Sequence, residues 1–170
     1  MLPTHLMKRK QRLEAFHAAL KDRILILDGA MGTMIQSLKL TEIDYRGEQF
    51  SNFHKDLKGN NDLLSITQPH LIENIHTAYL EAGADIIETN TFNANRTSMS
   101  DYELEDFASE INRQAGTIAR QAADAITAMT PDKPRFVAGV IGPTTRGACT
   151  EHDVNDLEAR NITFDVLVHE

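Results

Sequence analysis

The chain has 170 residues, of which 41% are hydrophobic and 25% are charged, and its net charge is −8. This length suffices for one domain with a core, and no apolar run is long enough for a membrane span. Residues 1–23 hold six Lys/Arg against two Asp/Glu, so the rest of the chain is acidic, which argues against a nucleic-acid partner. A single cysteine, Cys149, excludes an internal disulfide. Because the basic start is not followed by the apolar run of a secretory signal, we expect a cytoplasmic protein.

The first predicted elements are a helix, a strand and a glycine-containing turn. Residues 5–22 carry a partial apolar stripe at helical spacing, so residues 1–22 are predicted to form a helical arm. Residues 24–27 are four consecutive aliphatic residues, which predicts a strand buried on both faces, as in a parallel sheet. Asp28 follows at the carboxyl end of this strand, and a short helix is predicted over residues 31–38.

The turn at Asp28 is the first candidate site. In parallel α/β folds, ligands bind where the loops leave the carboxyl ends of the strands. Gly29 and Gly32 allow close approach of a ligand, and a helix start offers free N–H groups to an anion. With the Asp28 carboxylate, the turn offers both signs of charge, as an amino acid does. A plain turn whose carboxylate caps the next helix, or a phosphate-binding turn, are the alternatives. The P-loop and dinucleotide motifs do not match.

The middle of the chain begins with a segment that has no clear period. Residues 39–65 are polar with scattered aromatic side chains, and they are predicted to be an irregular excursion over the domain. A helix is then predicted from the region of Pro69, and Gly83 is its expected C-terminal cap. Residues 84–92 are predicted to form a second strand whose far end is crowded with polar side chains.

The last part of the chain repeats the pattern of helix followed by strand. Apolar residues from 104 to 126 mark one helical face, residues 136–141 a third strand, and residues 142–146 its exit loop. Alternating strands and helices imply right-handed crossovers and a parallel sheet. Residues 161–170 are typical of the opening turns of another helix, so the chain is expected to be truncated there. Residues 23–170 are therefore predicted to be one incomplete α/β domain, cut within a helix.

Four stretches, in this order, resemble the homocysteine-binding module of cobalamin-dependent methionine synthases, within the wider homocysteine S-methyltransferase family. The Gly-Asn-Asn-Asp-Leu-Leu stretch is the one that is similar to methionine synthases in particular. The stretches are Leu27-Asp28-Gly29-Ala30-Met31-Gly32-Thr33-Met34, Leu57-Lys58-Gly59-Asn60-Asn61-Asp62-Leu63-Leu64, Glu81-Ala82-Gly83-Ala84-Asp85-Ile86-Ile87-Glu88-Thr89-Asn90-Thr91-Phe92 and Val137-Ala138-Gly139-Val140-Ile141-Gly142-Pro143-Thr144.

The resemblance implies a fold and a reaction. The fold is a (β/α)₈ TIM barrel of which this chain supplies the first three strands, since a whole barrel needs about 250 residues. The reaction is zinc-assisted methyl transfer from methylcobalamin to homocysteine, the methyl group coming originally from 5-methyltetrahydrofolate. The family's three zinc-binding cysteines lie on late barrel strands, so they and the folate and cobalamin modules are expected beyond Glu170. This fragment alone is then expected to be inactive.

The resemblance also implies roles for the ends of the strands. Asp28 is expected to bind the homocysteine ammonium, and the Gly29 N–H its carboxylate. Side chains alternate along a strand, so Glu88, Asn90 and Phe92 share one face and Thr91 lies on the other, and the sequence does not say which face points into the barrel mouth. An acidic residue inside a strand is costly unless paired, so Glu88 is expected to have a partner or a function. The predicted substrate-binding residues are Asp28, Gly29, Glu88, Asn90, Thr91 and Phe92.

Other polar residues are weaker candidates. Thr144 and Thr145 lie in the exit loop of the third strand. Cys149 and His152 have a spacing that would suit two metal ligands, but a structural zinc site needs four. The remaining histidines are scattered, and surface or packing roles are expected for them, with the last two on a helix: His54, His70 and His76.

A protein of another class is the alternative hypothesis. The chain could be a stand-alone, non-catalytic α/β protein that keeps the Asp28 turn to bind an amino acid or a phosphate. A continuation beyond Glu170 into cysteine-bearing barrel strands would favour the enzyme, and a natural stop would favour the binding protein.

Overall fold

Helices and a small parallel sheet alternate along the chain in the computed structural model, which describes residues 9–144, 146 and 162–168. The structure is of the α/β class and mostly helical. Two 3₁₀ turns, Ser100–Tyr102 and Glu105–Phe107, precede the longest helix. The elements are α1 (Arg9–Asp22), α2 (Met31–Ser37), α3 (Glu42–Arg46), α4 (Leu64–Thr67), α5 (Pro69–Ala82), β1 (Ile86–Glu88), α6 (Arg96–Met99), α7 (Ala108–Met129), β2 (Phe136–Ala138) and α8 (Phe164–Val168).

The sheet is parallel, with β1 between β2 and the segment that ends in Leu27. Strands β1 and β2 pair in the register Ile86–Phe136, Ile87–Val137 and Glu88–Ala138. On the other side of β1, Leu27 forms a single parallel bridge to Ile86. The carboxyl ends of all three segments therefore lie at the same edge, as the alternation of elements predicts.

The predicted first strand differs from the expectation in extent and in burial. Only Leu27 pairs, so residues 24–27 form an isolated bridge and not a strand, and the described residues contain two strands where three are predicted. Burial on both faces is wrong for this structure, because Ile24 is 85% exposed and Leu27 is 50% exposed. A strand is buried on both faces only when other parts of the chain cover both faces of the sheet. Among the described residues, β1 is the only strand that pairs with this segment.

The predicted helices are confirmed closely where the chain carries clear start and stop residues. Pro69 is the first residue of α5, and Gly83 ends it with a left-handed φ of 115°, which glycine adopts without strain. Of the helical face predicted over residues 104–126, the part from Ala108 onwards is the buried face of α7, whereas Leu104 and Phe107 lie in the segment before this helix. Its small alanine side chains, including Ala119 and Ala122, let α7 pack with Leu80 and Ile87 in one apolar cluster.

The excursion over residues 39–65 is ordered by specific contacts, so the prediction that it is irregular is wrong in part. It contains α3 and the start of α4. The Glu42 carboxylate accepts the backbone N–H groups of Leu57 and Lys58 at 2.8 and 2.7 Å and lies 2.6 Å from Nε of Arg46. The buried ring of Phe50 packs edge-on against Phe107, with centroids 5.0 Å apart. These long-range contacts leave no periodic trace in the sequence.

A buried carboxylate fixes the amino end of the sheet. The side chain of Asp85 is 1% exposed, and it accepts two hydrogen bonds from the Arg23 guanidinium at 2.8 and 2.7 Å and a third from the Ile26 N–H at 2.9 Å. The Lys133 ammonium lies 3.6 Å from the same carboxylate. Helix α1, in the predicted arm, contacts this end of the sheet, because the Phe16 ring packs edge-on against Phe136. The opposite, carboxyl end is left for the candidate site.

The final segment is described in part. Helix α8 lies within residues 161–170, where the opening turns of a helix are predicted. Thr145, Cys149 and His152 lie outside the described residues. Within the described part of the chain, no helix is both long and apolar enough to cross a membrane.

Candidate functional site

The Asp28 turn is fixed to β1 by the backbone. The Asp28 N–H donates to the carbonyl of Ile86 at 3.2 Å, and the carbonyl of Ile26 accepts the N–H groups of Asp85 and Ile86. The exposed Asp28 carboxylate accepts the N–H of Gly29 at 2.8 Å. No side chain caps the start of α2, so the alternative that Asp28 serves as the cap of that helix is wrong. The backbone thus places an exposed carboxylate at the carboxyl edge of the sheet.

The polar residues at the end of β1 and just after it differ in their exposure and in their hydrogen bonds. Glu88 is exposed at the end of β1, so the expectation that burial forces a partner on it does not apply. Asn90 is buried, and its Nδ2 donates to the carbonyl of Asn61 at 2.8 Å and to Oγ of Ser65 at 3.1 Å. The hydroxyl of Thr91 donates to the carbonyl of Val140 at 2.8 Å. Two of the predicted substrate-binding side chains therefore hold loops together.

Phe92 has an exposed side chain on a tightly packed segment of backbone. Its side chain is 56% exposed, although its backbone is in close contact with the loop after β2. A Cβ atom on Gly142 would lie 2.1 Å from the Phe92 carbonyl oxygen, so only glycine fits there without a shift of backbone. The Asn93 N–H donates to Oδ1 of Asp62 at 3.0 Å. The loop that carries Phe92 is therefore fixed on both sides.

The carboxyl edge of the sheet borders a cavity of about 280 Å³, near the lower limit for small-molecule sites. All six predicted substrate-binding residues line it, and because β1 ends at Glu88 the alternation of faces expected from the sequence does not apply to the residues after it. The described residues that line it include three carboxylates, from Asp28, Asp62 and Glu88, and neither lysine nor arginine. Such a cavity favours a ligand with a cationic group.

Two buried ionisable groups lie in the wall of this cavity. Asp62 is 3% exposed, and burial raises the pKa of its carboxyl group against the opposing effect of the Asn93 N–H. His76 is also 3% exposed, and burial lowers its pKa to about 4, so the imidazole is neutral at pH 7. Its Nε2 has no hydrogen-bond partner among the described residues. The cavity wall thus contains the buried ionisable groups of Asp62 and His76 in addition to the exposed carboxylates of Asp28 and Glu88.

The described residues do not form a zinc site. No group of three or more His, Cys, Asp or Glu side chains among them could hold a metal ion, and Cys149 and His152, whose spacing alone would suit two ligands, lie outside them. His54 is exposed and lies 2.7 Å from Glu103, and His70 is exposed on α5, as predicted for surface roles. Three ligands are the least that a catalytic zinc site requires. The donor set described here therefore does not fit the metal.

Several residues of the cavity wall were not identified from the sequence, among them Asn61, Asp62 and His76. His76 follows Ile72 by four residues and precedes Leu80 by four, so a polar side chain on the buried stripe of α5 was the available signal. For Asn61 and Asp62 the signal was weaker: consecutive amide and carboxylate side chains within a loop. Tyr45 donates to Oδ1 of Asn61 at 2.8 Å, a contact over 16 residues that no local pattern predicts.

Comparison with known proteins assigns the family. The model of the homocysteine S-methyltransferase family matches residues 25–169. Two solved structures of the homocysteine methyltransferase MmuM from Escherichia coli are similar to this chain. The metallated form is 25% identical over 74% of this chain, with a TM-score of 0.58, and the oxidized form is 27% identical over 75%, with a TM-score of 0.57. The matched part is 40% of each of those chains. Because the family model spans most of the sequence, this chain belongs to the homocysteine S-methyltransferase family.

Proposed function

We propose that this chain is the amino-terminal part of a methionine synthase, and that its cavity binds the amino-acid end of homocysteine. The observation that carries the proposal is the pair of carboxylates, Asp28 and Glu88, at the carboxyl ends of neighbouring segments of one parallel sheet. They line one cavity whose described wall contains no lysine or arginine. Such a cavity suits the ammonium group of an amino acid.

Asp28 is the proposed anchor of the homocysteine ammonium. An ammonium donates charge-assisted hydrogen bonds to a carboxylate, and these are stronger in a partly enclosed cavity than at an open surface. Glu88 adds a second negative charge on the neighbouring strand. A phosphate ligand, one form of the alternative binding protein, is disfavoured, because it would face three carboxylates without a cationic side chain from the described wall.

The Gly29 N–H is proposed to bind the substrate carboxylate. In the structure this N–H donates to Oδ1 of Asp28. When the substrate ammonium occupies the Asp28 carboxylate, the N–H becomes available to a neighbouring acceptor. The two ends of the turn would then bind the two charged groups of one amino acid.

The sulfur chemistry is assigned to sequence outside the described residues. Their donor set does not fit zinc, so the three cysteines implied by the resemblance are proposed to follow Glu170. Methylcobalamin as methyl donor, and 5-methyltetrahydrofolate as the source of the methyl group, are proposed on the same resemblance. Two facts support a larger protein: this chain matches 40% of the length of the solved homocysteine methyltransferase, and a whole barrel needs about 250 residues.

The Asp28→Asn substitution in the complete protein tests the proposal, because it keeps the size of the side chain and removes its charge. Hydrogen bonds to charged groups contribute roughly 1.5–3 kcal/mol, so kcat/KM for homocysteine should fall about tenfold to a hundredfold. Activity with 4-mercaptobutyrate, which lacks the amino group, should hardly change, and zinc content should stay normal. Asp132→Asn, an exposed aspartate in the loop before β2, is the matched control. Equal losses with both thiols would mean that Asp28 shapes the turn and does not contact the substrate.

A further inference from the structure

Two threonine hydroxyls close a ring of hydrogen bonds between the loops that follow β1 and β2. The Val140 N–H donates to Oγ1 of Thr89 at 2.9 Å, and the Thr89 and Thr91 hydroxyls are 2.7 Å apart. Oγ1 of Thr91 donates to the Val140 carbonyl at 2.8 Å. The series of hydrogen bonds therefore starts at the Val140 N–H and ends at the carbonyl of the same residue. We call this arrangement the hydroxyl ring.

The count of protons fixes the direction of every bond in the hydroxyl ring. A threonine hydroxyl has one proton to donate. Thr91 uses its proton on the Val140 carbonyl, so Thr89 must be the donor in the bond between the two hydroxyls. Each hydroxyl then accepts one bond and donates one, and bonds that run in one direction strengthen each other. Removal of either hydroxyl breaks the ring.

The hydroxyl ring extends the parallel pairing beyond the ends of the strands. The last ladder bond runs from the Thr89 N–H to the Ala138 carbonyl at 3.0 Å, and the ring continues the connection to Val140. Thr91 is 6% exposed, so its hydroxyl bonds face little competition from water. The residues on either side of this threonine pair are Glu88 and Phe92, both exposed and both in the cavity wall.

We propose that Thr91 is a positioning residue, which acts through the hydroxyl ring to hold Glu88 and Phe92 at the cavity. This assigns to the threonine an indirect role in place of the substrate contact expected from the sequence. For its ligand the inference rests on the proposed function, since homocysteine is the molecule whose binding should respond. The ring itself is a property of the two exit loops and has its own observable, the exchange of the Val140 amide proton.

The experiment compares Thr91→Val and Thr91→Ser in the complete protein. Valine has nearly the shape of threonine but no hydroxyl, whereas serine keeps the hydroxyl and lacks the methyl group. Thr117→Val is the matched control, because Thr117 on α7 donates its hydroxyl to the Arg113 carbonyl at an exposed site. Hydrogen exchange at Val140 and the affinity for homocysteine by calorimetry are measured for each variant.

The expected result is a loss that follows the hydroxyl. In Thr91→Val, the Val140 carbonyl loses the hydrogen bond from Thr91, so the exit loop should open more often. The Val140 amide should then exchange about tenfold faster and homocysteine should bind about tenfold more weakly, as for the loss of one buried hydrogen bond. Thr91→Ser should restore both values, and Thr117→Val should match the wild type. Unchanged affinity in Thr91→Val, or equal losses in the valine and serine variants, would overturn the proposal.

The two proposals fail in distinguishable ways. If the wild-type protein does not bind homocysteine, the proposed function is wrong, and the hydroxyl ring is judged by exchange alone. Fast Val140 exchange in Thr91→Val together with protection in Thr91→Ser then supports the ring. Val140 exchange that is independent of the Thr91 hydroxyl overturns it.

Discussion

Asp85 offers a sharp test of what holds the Asp28 segment in register. Its carboxylate binds the Arg23 guanidinium through two hydrogen bonds and the Ile26 N–H through a third. Asp85→Asn keeps the size of the side chain and one acceptor oxygen, but it removes the charge that the Arg23 and Lys133 side chains surround. Asp106→Asn is the matched control, because that carboxylate pairs with Arg96 at an exposed site.

The magnitude follows from the pKa of Asp85. Hydrogen bonds from Arg23 chiefly, with the Ile26 N–H and the Lys133 charge, lower the pKa of this carboxyl from 3.8 to about 2 against the opposing effect of burial. At 1.36 kcal/mol for each pKa unit, ionised Asp85 stabilises the fold at neutral pH by about 2 kcal/mol. Because the pKa in the folded state lies below that of the unfolded state, this contribution is present above pH 4 and is lost as the pH falls towards 2.

Hydrogen exchange of the Ile26, Asp85 and Ile86 amides measures the effect. A loss of about 2 kcal/mol corresponds to exchange about 30-fold faster in Asp85→Asn at pH 7, and to a smaller difference from the wild type at pH 3. The exposed pair of Asp106 should contribute little, so its variant should exchange like the wild type. Equal exchange in Asp85→Asn and the wild type at pH 7, or a difference that does not shrink at pH 3, would show that the Asp85 charge does not hold this segment in place.

Three further outcomes follow from the same structure. Gly142→Ala should displace the Phe92 backbone and weaken homocysteine binding at least tenfold, because the added Cβ would lie 2.1 Å from a carbonyl oxygen; calorimetry that gives wild-type affinity would show that the loop tolerates the shift. The 170-residue chain alone should not retain stoichiometric zinc after dialysis, measured by elemental analysis; retained zinc that is lost in Cys149→Ser would contradict this. The same chain should self-associate, since Ile24 is 85% and Ile141 is 98% exposed near an incompletely paired sheet edge, and a monodisperse, cooperatively melting monomer in light scattering and thermal unfolding would be the contrary result.

Local sequence signals were enough to predict the main helices and the parallel direction of the strands. Pro69 and Gly83 set the bounds of α5, because proline suits a first helical turn and glycine suits a left-handed cap. The apolar run of residues 24–27 indicated a parallel strand, but its burial depends on neighbouring strands and covering layers that a run of side chains cannot reveal. Sequence-based prediction thus captured what local conformation and periodicity determine.

The sequence predicted where the candidate site lies better than it predicted what each of its side chains contacts. All six predicted residues line one cavity, because the carboxyl ends of parallel strands meet at the same edge. The side chains of Asn90 and Thr91 bind neighbouring loops. The alternation of side chains along a strand does not predict these contacts, because β1 ends at Glu88. Asp62 enters the wall from an excursion whose order depends on contacts such as that between Glu42 and the Leu57 N–H.

A crystal structure of the complete protein with homocysteine bound would show directly whether Asp28 binds the substrate ammonium. We expect the homocysteine nitrogen to lie about 3 Å from a carboxylate oxygen of Asp28, in the cavity bordered by Glu88 and Phe92. The Gly29 N–H should then donate to the homocysteine carboxylate. A homocysteine amino group bound away from Asp28, with the Asp28 carboxylate still bonded to the Gly29 N–H, would show that Asp28 does not bind the substrate ammonium.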